Sequence, residues 1–266
     1  MKVSVIIPSL NPDEKLICVV DSLIEAGFDD IILVNDGSDE NHMEPFEHVS
    51  AYPECTILTH EINKGKGRGL KTAFEYCIKN RPDIDGVVTV DGDNQHKAAD
   101  ILKCCEKMAE CKDKVVLGVR NFSGKDVPFK SRFGNNMTSF VFKFACGLNI
   151  SDTQTGLRAI PRQYLELFDK VKGERFEYET NMLLEFKQSH IDFVEVQIET
   201  VYIEENASTH FNPIKDSLKI YGVIFKFLFS SIASSVIDLA MFALISALMF
   251  GKLDGSIRIF TATLGA

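Results

Sequence analysis

The chain has 266 residues, enough for one large domain or two small ones, and its 45% of hydrophobic residues can fill a packed core. A formal net charge of -9 argues against a nonspecific nucleic-acid binder, which needs clustered positive charge, so we expect no nucleic-acid partner. The seven cysteines include no C-x-x-C pair. They indicate neither a zinc site nor a disulfide framework and fit a reducing, cytosolic setting.

Strands alternate with helices over most of the chain. Apolar runs and periodicities predict strands at residues 2–7, 31–34, 56–59, 87–90, 114–119 and 194–198. They predict helices at residues 13–26, about 66–79, 98–111, 139–146, 162–171 and 177–188. Such alternation predicts an α/β fold with a mostly parallel sheet flanked by helices, whose ligands bind at the carboxyl ends of the strands.

The strand predicted at 87–90 ends in two carboxylates, Asp91 and Asp93. Side chains two residues apart project the same way from an extended segment, so the pair can converge on one cation. A calcium loop of the EF-hand type is excluded, because His96 and Leu102 occupy its glycine and closing glutamate positions. Surface carboxylates that bind nothing are the alternative, but their mutual repulsion favours a cation between them. The pair predicts a site for a divalent metal and a phosphate.

Two further loops follow predicted strands. Asp36 can accept hydrogen bonds from a base or ribose, although Gly37-Ser38-Asp39 after it is equally typical of a simple turn. The glycine-rich stretch at 65–69, which contains Lys66, can bring backbone amides close to phosphate, or can be only a flexible turn. The first strand–helix connection, residues 8–12, has no glycine, which argues against a dinucleotide-dependent dehydrogenase.

A basic stretch begins at Arg120 and includes Arg132. The rigid fork of an arginine suits bidentate capture of a phosphate, while a solvated loop is the ordinary alternative.

The C-terminal part of the chain is different in kind. Residues 227–250 are apolar or small except for Asp238, and their helical length of about 36 Å favours a transmembrane helix over a buried soluble one. An excess of lysines before this span places the N-terminal domain in the cytoplasm, although two basic residues follow it. The preceding lysines are Lys215, Lys219 and Lys226. We therefore expect a catalytic domain at 1–212 and, at 213–226, a juxtamembrane amphipathic helix or an ordinary linker helix. Membrane segments at 227–266, truncated at the end of the chain, complete the expected organisation.

Five motifs in order resemble family 2 glycosyltransferases of the GT-A fold, specifically dolichyl-phosphate mannose synthase and the GtrB-like polyprenyl-phosphate sugar transferases. They are Val5-Ile6-Ile7-Pro8, Val34-Asn35-Asp36-Gly37-Ser38-Asp39, Asn63-Lys64-Gly65-Lys66-Gly67, Asp91-Gly92-Asp93-Asn94-Gln95-His96 and Asp152-Thr153-Gln154-Thr155-Gly156-Leu157-Arg158. The similarity covers roughly residues 1–212. The tail from about Lys226 resembles the start of a GtrA-like membrane domain.

The resemblance implies a Rossmann-like GT-A domain with metal-dependent, inverting hexosyltransferase activity. A nucleotide-sugar of the GDP-mannose or UDP-glucose type is the implied donor, and undecaprenyl or dolichyl phosphate at the cytoplasmic membrane face is the implied acceptor. The implied donor contacts are Pro8, Asp36, Lys66 and Asp91, the metal ligands for Mg²⁺ or Mn²⁺ are Asp93 and Gln95, and the catalytic residues are Asp93, Arg120, Arg132 and Asp152. Arg120 and Arg132 would grip the acceptor phosphate, and Asp152 with Arg158 belongs to the acceptor-side motif. His210 stands where relatives carry a basic residue.

Two other functions stay open at this point. A family 2 transferase can act on a polysaccharide or a soluble acceptor, and a degenerate domain can serve as a membrane-bound assembly partner without catalysis. The intact Asp91, Asp93 and Gln95 argue against the second. Association of copies through the membrane segment is a further expectation.

Overall fold

The structure is a computed structural model that describes residues 1–122, 135–136, 138–140, 142–199 and 215–250. Arg132 and His210 lie outside the described residues. The chain divides into two compact units, Met1–Ile220 and Tyr221–Ala266. The first unit contains the sheet.

Seven strands form one sheet in the first unit. They are β1 (Val3–Ser9), β2 (Ile31–Asn35), β3 (Cys55–Thr59), β4 (Gly86–Thr89), β5 (Val115–Arg120), β6 (Arg158–Pro161) and β7 (Phe193–Ile198). Every residue of β2, β4 and β6 is buried, because these strands carry apolar side chains on both faces and helices cover them.

The sheet order is β3-β2-β1-β4-β6-β5-β7. All neighbouring strands are parallel except β6, which runs antiparallel to β4 and to β5. The predicted α/β fold with a mostly parallel sheet is therefore confirmed. Strand β6 was not predicted, because its four residues precede a helical pattern without a break.

The α-helices whose bounds are described are α1 (Lys15–Glu25), α2 (Glu44–Val49), α3 (Lys66–Asn80), α4 (Ala98–Cys111), α5 (Leu165–Asp169), α6 (Glu177–Gln188) and α7 (Lys215–Phe250). Short 3₁₀ turns cover Glu40–His42 and Arg162–Tyr164, and a π-helical turn covers Phe142–Cys146. Helix α1 buries the stripe of Leu16, Val19, Val20 and Leu23 in the core beside the sheet. The other helices of the first unit were predicted within a few residues, except α2, which is only six residues long.

Strand register brings the loops of the site to one edge. Ser9 pairs with Asn35 and Asn35 with Thr59, so the residues that follow β1, β2 and β3 are neighbours. Across the other half of the sheet, Arg158 of antiparallel β6 pairs with both Thr89 and Leu117. The segment before β6 therefore lies beside the residues that follow β4 and β5.

Helix α7 is 36 residues long, and many of its large apolar side chains are exposed. Among the residues that the structure describes, no helix meets the combined demand of length and apolar character for crossing a membrane. The transmembrane helix predicted at 227–250 is thus not confirmed.

Candidate active site

A cavity of about 240 Å³ lies at the carboxyl edge of the sheet. Its walls are Pro8, Ser9, Leu10, Asn11, Pro12, Asp13, Asp36, Asn63, Gly65, Lys66, Asp91, Gly92, Asp93, Arg175 and Phe176. All four residues predicted to bind the donor line it, together with the predicted metal ligand Asp93. The predicted residues Gln95, Arg120 and Asp152 do not line it.

Asp91 and Lys66 form the charged centre of the cavity. Lys66 Nζ lies 2.7 Å from Asp91 Oδ1 and 3.1 Å from Glu179 Oε1, so two carboxylates hold one ammonium. Burial alone would raise the pKa of Asp91, but the charge of Lys66 and the nearby His96 outweigh burial and lower it. Burial likewise opposes the charge of Lys66, and the two carboxylates outweigh it and raise the pKa of the ammonium. Both groups are ionised at neutral pH.

Asp93 has a different environment from Asp91. Its Oδ1 accepts a hydrogen bond of 3.1 Å from the backbone N–H of Gln95, and no basic side chain among the described residues lies within ion-pair distance of it. Burial, then the negative charge of Asp91, raises the pKa of Asp93. A carboxylate in this position is stabilised by added positive charge.

The residues at Asp93 fit a divalent cation of the Mg²⁺ or Mn²⁺ type. Within the described ranges, no three His, Cys, Asp or Glu side chains are grouped as a metal site. Mg²⁺ is commonly held by one or two protein oxygens together with the phosphates of its substrate, so a full protein cage is not required. Asp93 and Gln95 would supply oxygen ligands of that kind, and a bound cation would balance the charge of Asp93, which has no basic side chain within ion-pair distance in the described ranges.

Asp36 is bound by its own chain. It is 3% exposed, and its carboxylate accepts hydrogen bonds from Lys64 N at 2.9 Å, Gly65 N at 2.7 Å and His60 Nδ1 at 2.7 Å. His60 Nε2 in turn lies 2.9 Å from Thr72 Oγ1. The residue predicted to contact base or ribose lines the cavity, but its carboxylate shapes the loop that leads to Lys66.

The segment at 152–157 runs along the same edge and joins two sets of predicted residues. A Cβ at Gly156 would lie 2.9 Å from Asp91 Cγ and closer still to Oδ2, so only glycine fits against this carboxylate. Four residues earlier, fully buried Asp152 accepts hydrogen bonds from Arg120 Nε at 2.7 Å and Nη2 at 3.1 Å. The motif thus contacts Asp91 at one end and orients Arg120 at the other.

Arg158 ends this segment as a fully buried side chain, 1% exposed. Its Nη1 donates to the carbonyl of Glu179 at 2.9 Å, and its Nε donates to the carbonyl of Thr155 at 3.2 Å. Burial lowers the pKa of the guanidinium, while Glu179, Asp152 and Asp91 oppose that shift. The guanidinium is therefore a buried positive charge that interacts electrostatically with three acidic side chains of the site.

Asn135 ties residues near Arg132 to this segment. It is 2% exposed, donates to the carbonyl of Ser151 at 2.7 Å and accepts from Thr153 N at 3.3 Å. The neighbouring Asn136 is exposed.

Three residues at the site were not predicted: Glu179, His60 and Gly156. His60 could have been found, because it follows β3 as Asp36 follows β2 and the two strands are paired in register. Glu179 lies in α6, far along the chain from Lys66, and nothing in its local pattern separates it from a surface glutamate. Gly156 lay within a recognised motif, but its contact with Asp91 depends on the antiparallel β6.

The chain is similar to a known family and to several known proteins. Residues 4–168 match the model of the family "Glycosyl transferase family 2". The UDP-N-acetylglucosamine–dolichyl-phosphate N-acetylglucosaminyltransferase of Methanococcus voltae is 30% identical over 220 residues, which cover 75% of this chain and 85% of that protein. An undecaprenyl-phosphate 4-deoxy-4-formamido-L-arabinose transferase of Proteus mirabilis is 26% identical over 170 residues, 62% of this chain and 50% of that protein.

A solved structure shows the same fold. The glucosyl-3-phosphoglycerate synthase of Mycobacterium tuberculosis, solved with Mn²⁺, UDP and glucosyl-3-phosphoglycerate, superposes with a TM-score of 0.62 at 15% identity. The superposition covers 86% of this chain and 79% of that one. These matches carry no evidence of a GtrA-like domain at residues 227–266. Because the family model matches more than half of the chain, the chain is a member of glycosyl transferase family 2.

Proposed function

We propose that the protein transfers a hexosyl group from a nucleotide-sugar to a polyprenyl phosphate, with inversion at the anomeric carbon. The observation that carries the proposal is the segment at 152–157, which places Gly156 against Asp91 and Asp152 against Arg120. The donor-side carboxylates and a phosphate-binding arginine thereby share one edge of the sheet. The two relatives described above, which are named for dolichyl- and undecaprenyl-phosphate, support the choice of acceptor.

On the donor side, the cavity would hold the nucleotide and the diphosphate. Lys66, fixed between Asp91 and Glu179, presents an ammonium group at the cavity wall, where a diphosphate would accept hydrogen bonds from it. Asp93 and Gln95 would hold Mg²⁺ or Mn²⁺, which when bound supplies Lewis-acid stabilisation of the departing diphosphate. GDP-mannose and UDP-glucose types of donor both remain within the proposal.

On the acceptor side, the nucleophile would be a phosphate oxygen. The second pKa of a phosphate monoester is near 6, so the group is largely dianionic at neutral pH and needs no strong base. Arg120 would bind this phosphate. Asp152 accepts two hydrogen bonds from Arg120, so the arginine is already positioned when the acceptor binds. Arg132 is proposed to bind the same phosphate.

We further propose that this chemistry takes place at the cytoplasmic face of a cell membrane. A polyprenyl chain stays in the bilayer, and the exposed apolar side chains of α7 are suited to a lipid environment. Phe225, Phe229 and Ile232 are 66%, 76% and 61% exposed, respectively. The basic residues before residue 227 favour the cytoplasmic side. Association of copies through this segment belongs to the same proposal.

A transfer assay with the purified full chain in detergent tests the proposed function. Labelled sugar from a panel of nucleotide-sugars should appear on undecaprenyl or dolichyl phosphate in the presence of Mg²⁺ or Mn²⁺. An Asp93→Ala variant should give no lipid-linked product, and one that kept full activity would support a non-catalytic role for the domain. Transfer to a soluble or polysaccharide acceptor, with none to lipid, would favour the alternative family 2 function.

A further inference from the structure

Two basic residues contribute to the cavity wall, Lys66 and Arg175, and their surroundings differ. The ammonium of Lys66 is shared by Asp91 and Glu179 and carries no surplus positive charge. Arg175 is exposed, and within the part of the chain that the structure describes its guanidinium has no carboxylate partner. The positive charge of the cavity that is not already compensated therefore belongs to Arg175.

The position of Arg175 is fixed by its neighbour Glu174. The Glu174 carboxylate accepts from Arg68 Nε at 2.5 Å and Nη2 at 2.8 Å, and from Lys71 Nζ at 3.1 Å. The backbone carbonyl of Glu174 also accepts from Arg68 N at 2.9 Å. These bonds attach the loop before α6 to the first turns of α3, the helix that begins at Lys66.

Two glycines allow this loop to lie directly on the start of α3. A Cβ at Gly65 would lie 2.7 Å from Arg175 Cγ, and a Cβ at Gly67 would lie 2.9 Å from the Arg175 carbonyl oxygen. Glu177 adds support from the other side, because its Oε1 accepts from the backbone N–H of Glu174 and of Arg175. The backbone of Arg175 is thus held in place beside the loop that contains Lys66.

The charge of the cavity favours a specific ligand group at Arg175. The acidic side chains Asp36, Asp91 and Asp93 line the same cavity, and an anionic ligand would be repelled without a compensating cation. We propose that Arg175 binds the diphosphate of the nucleotide-sugar donor, through the bidentate pairing that guanidinium groups make with phosphate oxygens. This inference rests on the proposed function and adds a phosphate-binding residue that the family motifs in the sequence do not contain.

The same chemistry could serve the phosphate of the acceptor. Arg175 shares its cavity with Pro8, Asp36 and Lys66, whereas the Arg120–Asp152 pair does not line it. The shared cavity favours the donor diphosphate, and the measurements below separate the two sources of phosphate.

The test compares Arg175→Gln with wild type by isothermal titration calorimetry on the full chain, using UDP and GDP with Mn²⁺ and the matching nucleosides as probes. We expect nucleoside diphosphate binding to weaken by roughly 10- to 100-fold, because a charged hydrogen-bonded pair is lost, while nucleoside binding changes less than about twofold. Arg175→Lys, which keeps the charge and loses the fork, should lie between the two. Lys172→Gln is the matched control, since it removes the same charge from an exposed position in the same loop and should bind like wild type.

Each outcome of this test decides the inference. Equal diphosphate affinity of Arg175→Gln and wild type would overturn the role of Arg175 and leave the proposed function intact. Wild type that binds neither nucleoside diphosphate would overturn the proposed function, and this inference with it. In steady-state assays, a raised KM for the donor with an unchanged KM for polyprenyl phosphate supports the donor diphosphate. A raised KM for the acceptor alone would overturn it.

Glu174→Gln provides a second variant that leaves Arg175 in place. Loss of the charged contacts to Arg68 and Lys71 should loosen the loop and weaken diphosphate binding in the same direction as Arg175→Gln, by a smaller factor. Diphosphate binding that is unaffected in Glu174→Gln but lost in Arg175→Gln would still support Arg175 and would overturn the positioning by Glu174.

Discussion

Replacing Asp36 by asparagine should destabilise the protein even when no nucleotide is present. The carboxylate accepts one hydrogen bond from Gly65 N through Oδ2 and two, from Lys64 N and His60 Nδ1, through Oδ1. An amide has only one acceptor oxygen, so its NH₂ group must face one of these two sets of donors. At least one buried N–H is then left without an acceptor.

The size of the effect follows from that geometry. An unsatisfied buried donor costs about 1–3 kcal/mol, and the loss of charge weakens the remaining bonds by about 1 kcal/mol. The free energy of unfolding should therefore fall by about 2–4 kcal/mol. For a unit of this size the unfolding temperature should fall by roughly 5–15 °C.

The assay is thermal and urea unfolding of the apo protein, without nucleotide or added metal. Glu61→Gln is the matched control, because it removes one negative charge from an exposed residue next to His60 and should shift the midpoint little. If apo Asp36→Asn were as stable as this control and only nucleotide binding were lost, the carboxylate would be a ligand contact and the structural role assigned to it would be refuted.

The remaining predictions concern the charged centre of the site. Asp93→Asn should raise the apo unfolding temperature at neutral pH and abolish metal-dependent nucleotide binding, because burial and the charge of Asp91 raise the pKa of Asp93 and penalise its ionised form. A raised native pKa means that the native state of the wild type binds the proton more tightly than the unfolded state does, so lowering the pH stabilises the wild type. In urea unfolding at a series of pH values, the stability advantage of Asp93→Asn over wild type should therefore shrink as the pH falls from that pKa towards about 4. Gly156→Ala should destabilise the protein by about 1–3 kcal/mol and lower kcat/KM, because its methyl group overlaps the Asp91 carboxylate. Glu179→Gln removes one of the two carboxylates that hold the cavity ammonium, and should raise the KM for the donor about 5- to 10-fold with little change in apo stability.

Specific results would contradict these expectations. An apo Asp93→Asn variant that is less stable than wild type at pH 7 would show that Asp93 has a cationic partner in the apo protein. Gly222→Ala is a control for the glycine substitution, since a Cβ there meets nothing within 4 Å. Full activity in Gly156→Ala would show that the carboxylate beside it can move without consequence. An unchanged donor KM in Glu179→Gln would remove that residue from the donor site.

The sequence predicted the fold wherever the signal was local. The helix at 98–111 and the helix at 177–188 have the predicted bounds, because their apolar periodicity begins and ends clearly in the sequence. Strand β6 escaped prediction, since four residues give no period and its antiparallel pairing with β4 and β5 is a long-range property. The pairing of this strand with β4 also brings Gly156 against Asp91, so this contact of the site was not predicted either.

The motifs singled out residues that the structure brings to one cavity, but they did not show how these residues are connected. Pro8, Asp36, Lys66, Asp91 and Asp93 share one cavity, as the motifs indicated. A motif does not show which groups a carboxylate contacts within its own chain, and the Asp36 carboxylate accepts hydrogen bonds from two backbone N–H groups and from His60.

The contact between Lys66 and Glu179 joins α3 to α6 across more than a hundred residues. The loop at 172–176 is bonded to the first turns of α3 and leads into α6, which places these two side chains near each other. The arginine at 175 reaches the cavity for the same reason.

The most direct measurement is the appearance of labelled sugar in the lipid fraction when the full chain, a nucleotide-sugar and a polyprenyl phosphate are combined. The site described here predicts lipid-linked product from wild type with Mg²⁺ or Mn²⁺, loss of product on chelation of the metal, and no product from Asp93→Asn at any metal concentration. Sugar transfer that persists in Asp93→Asn, or that reaches only soluble acceptors with wild type, would contradict it.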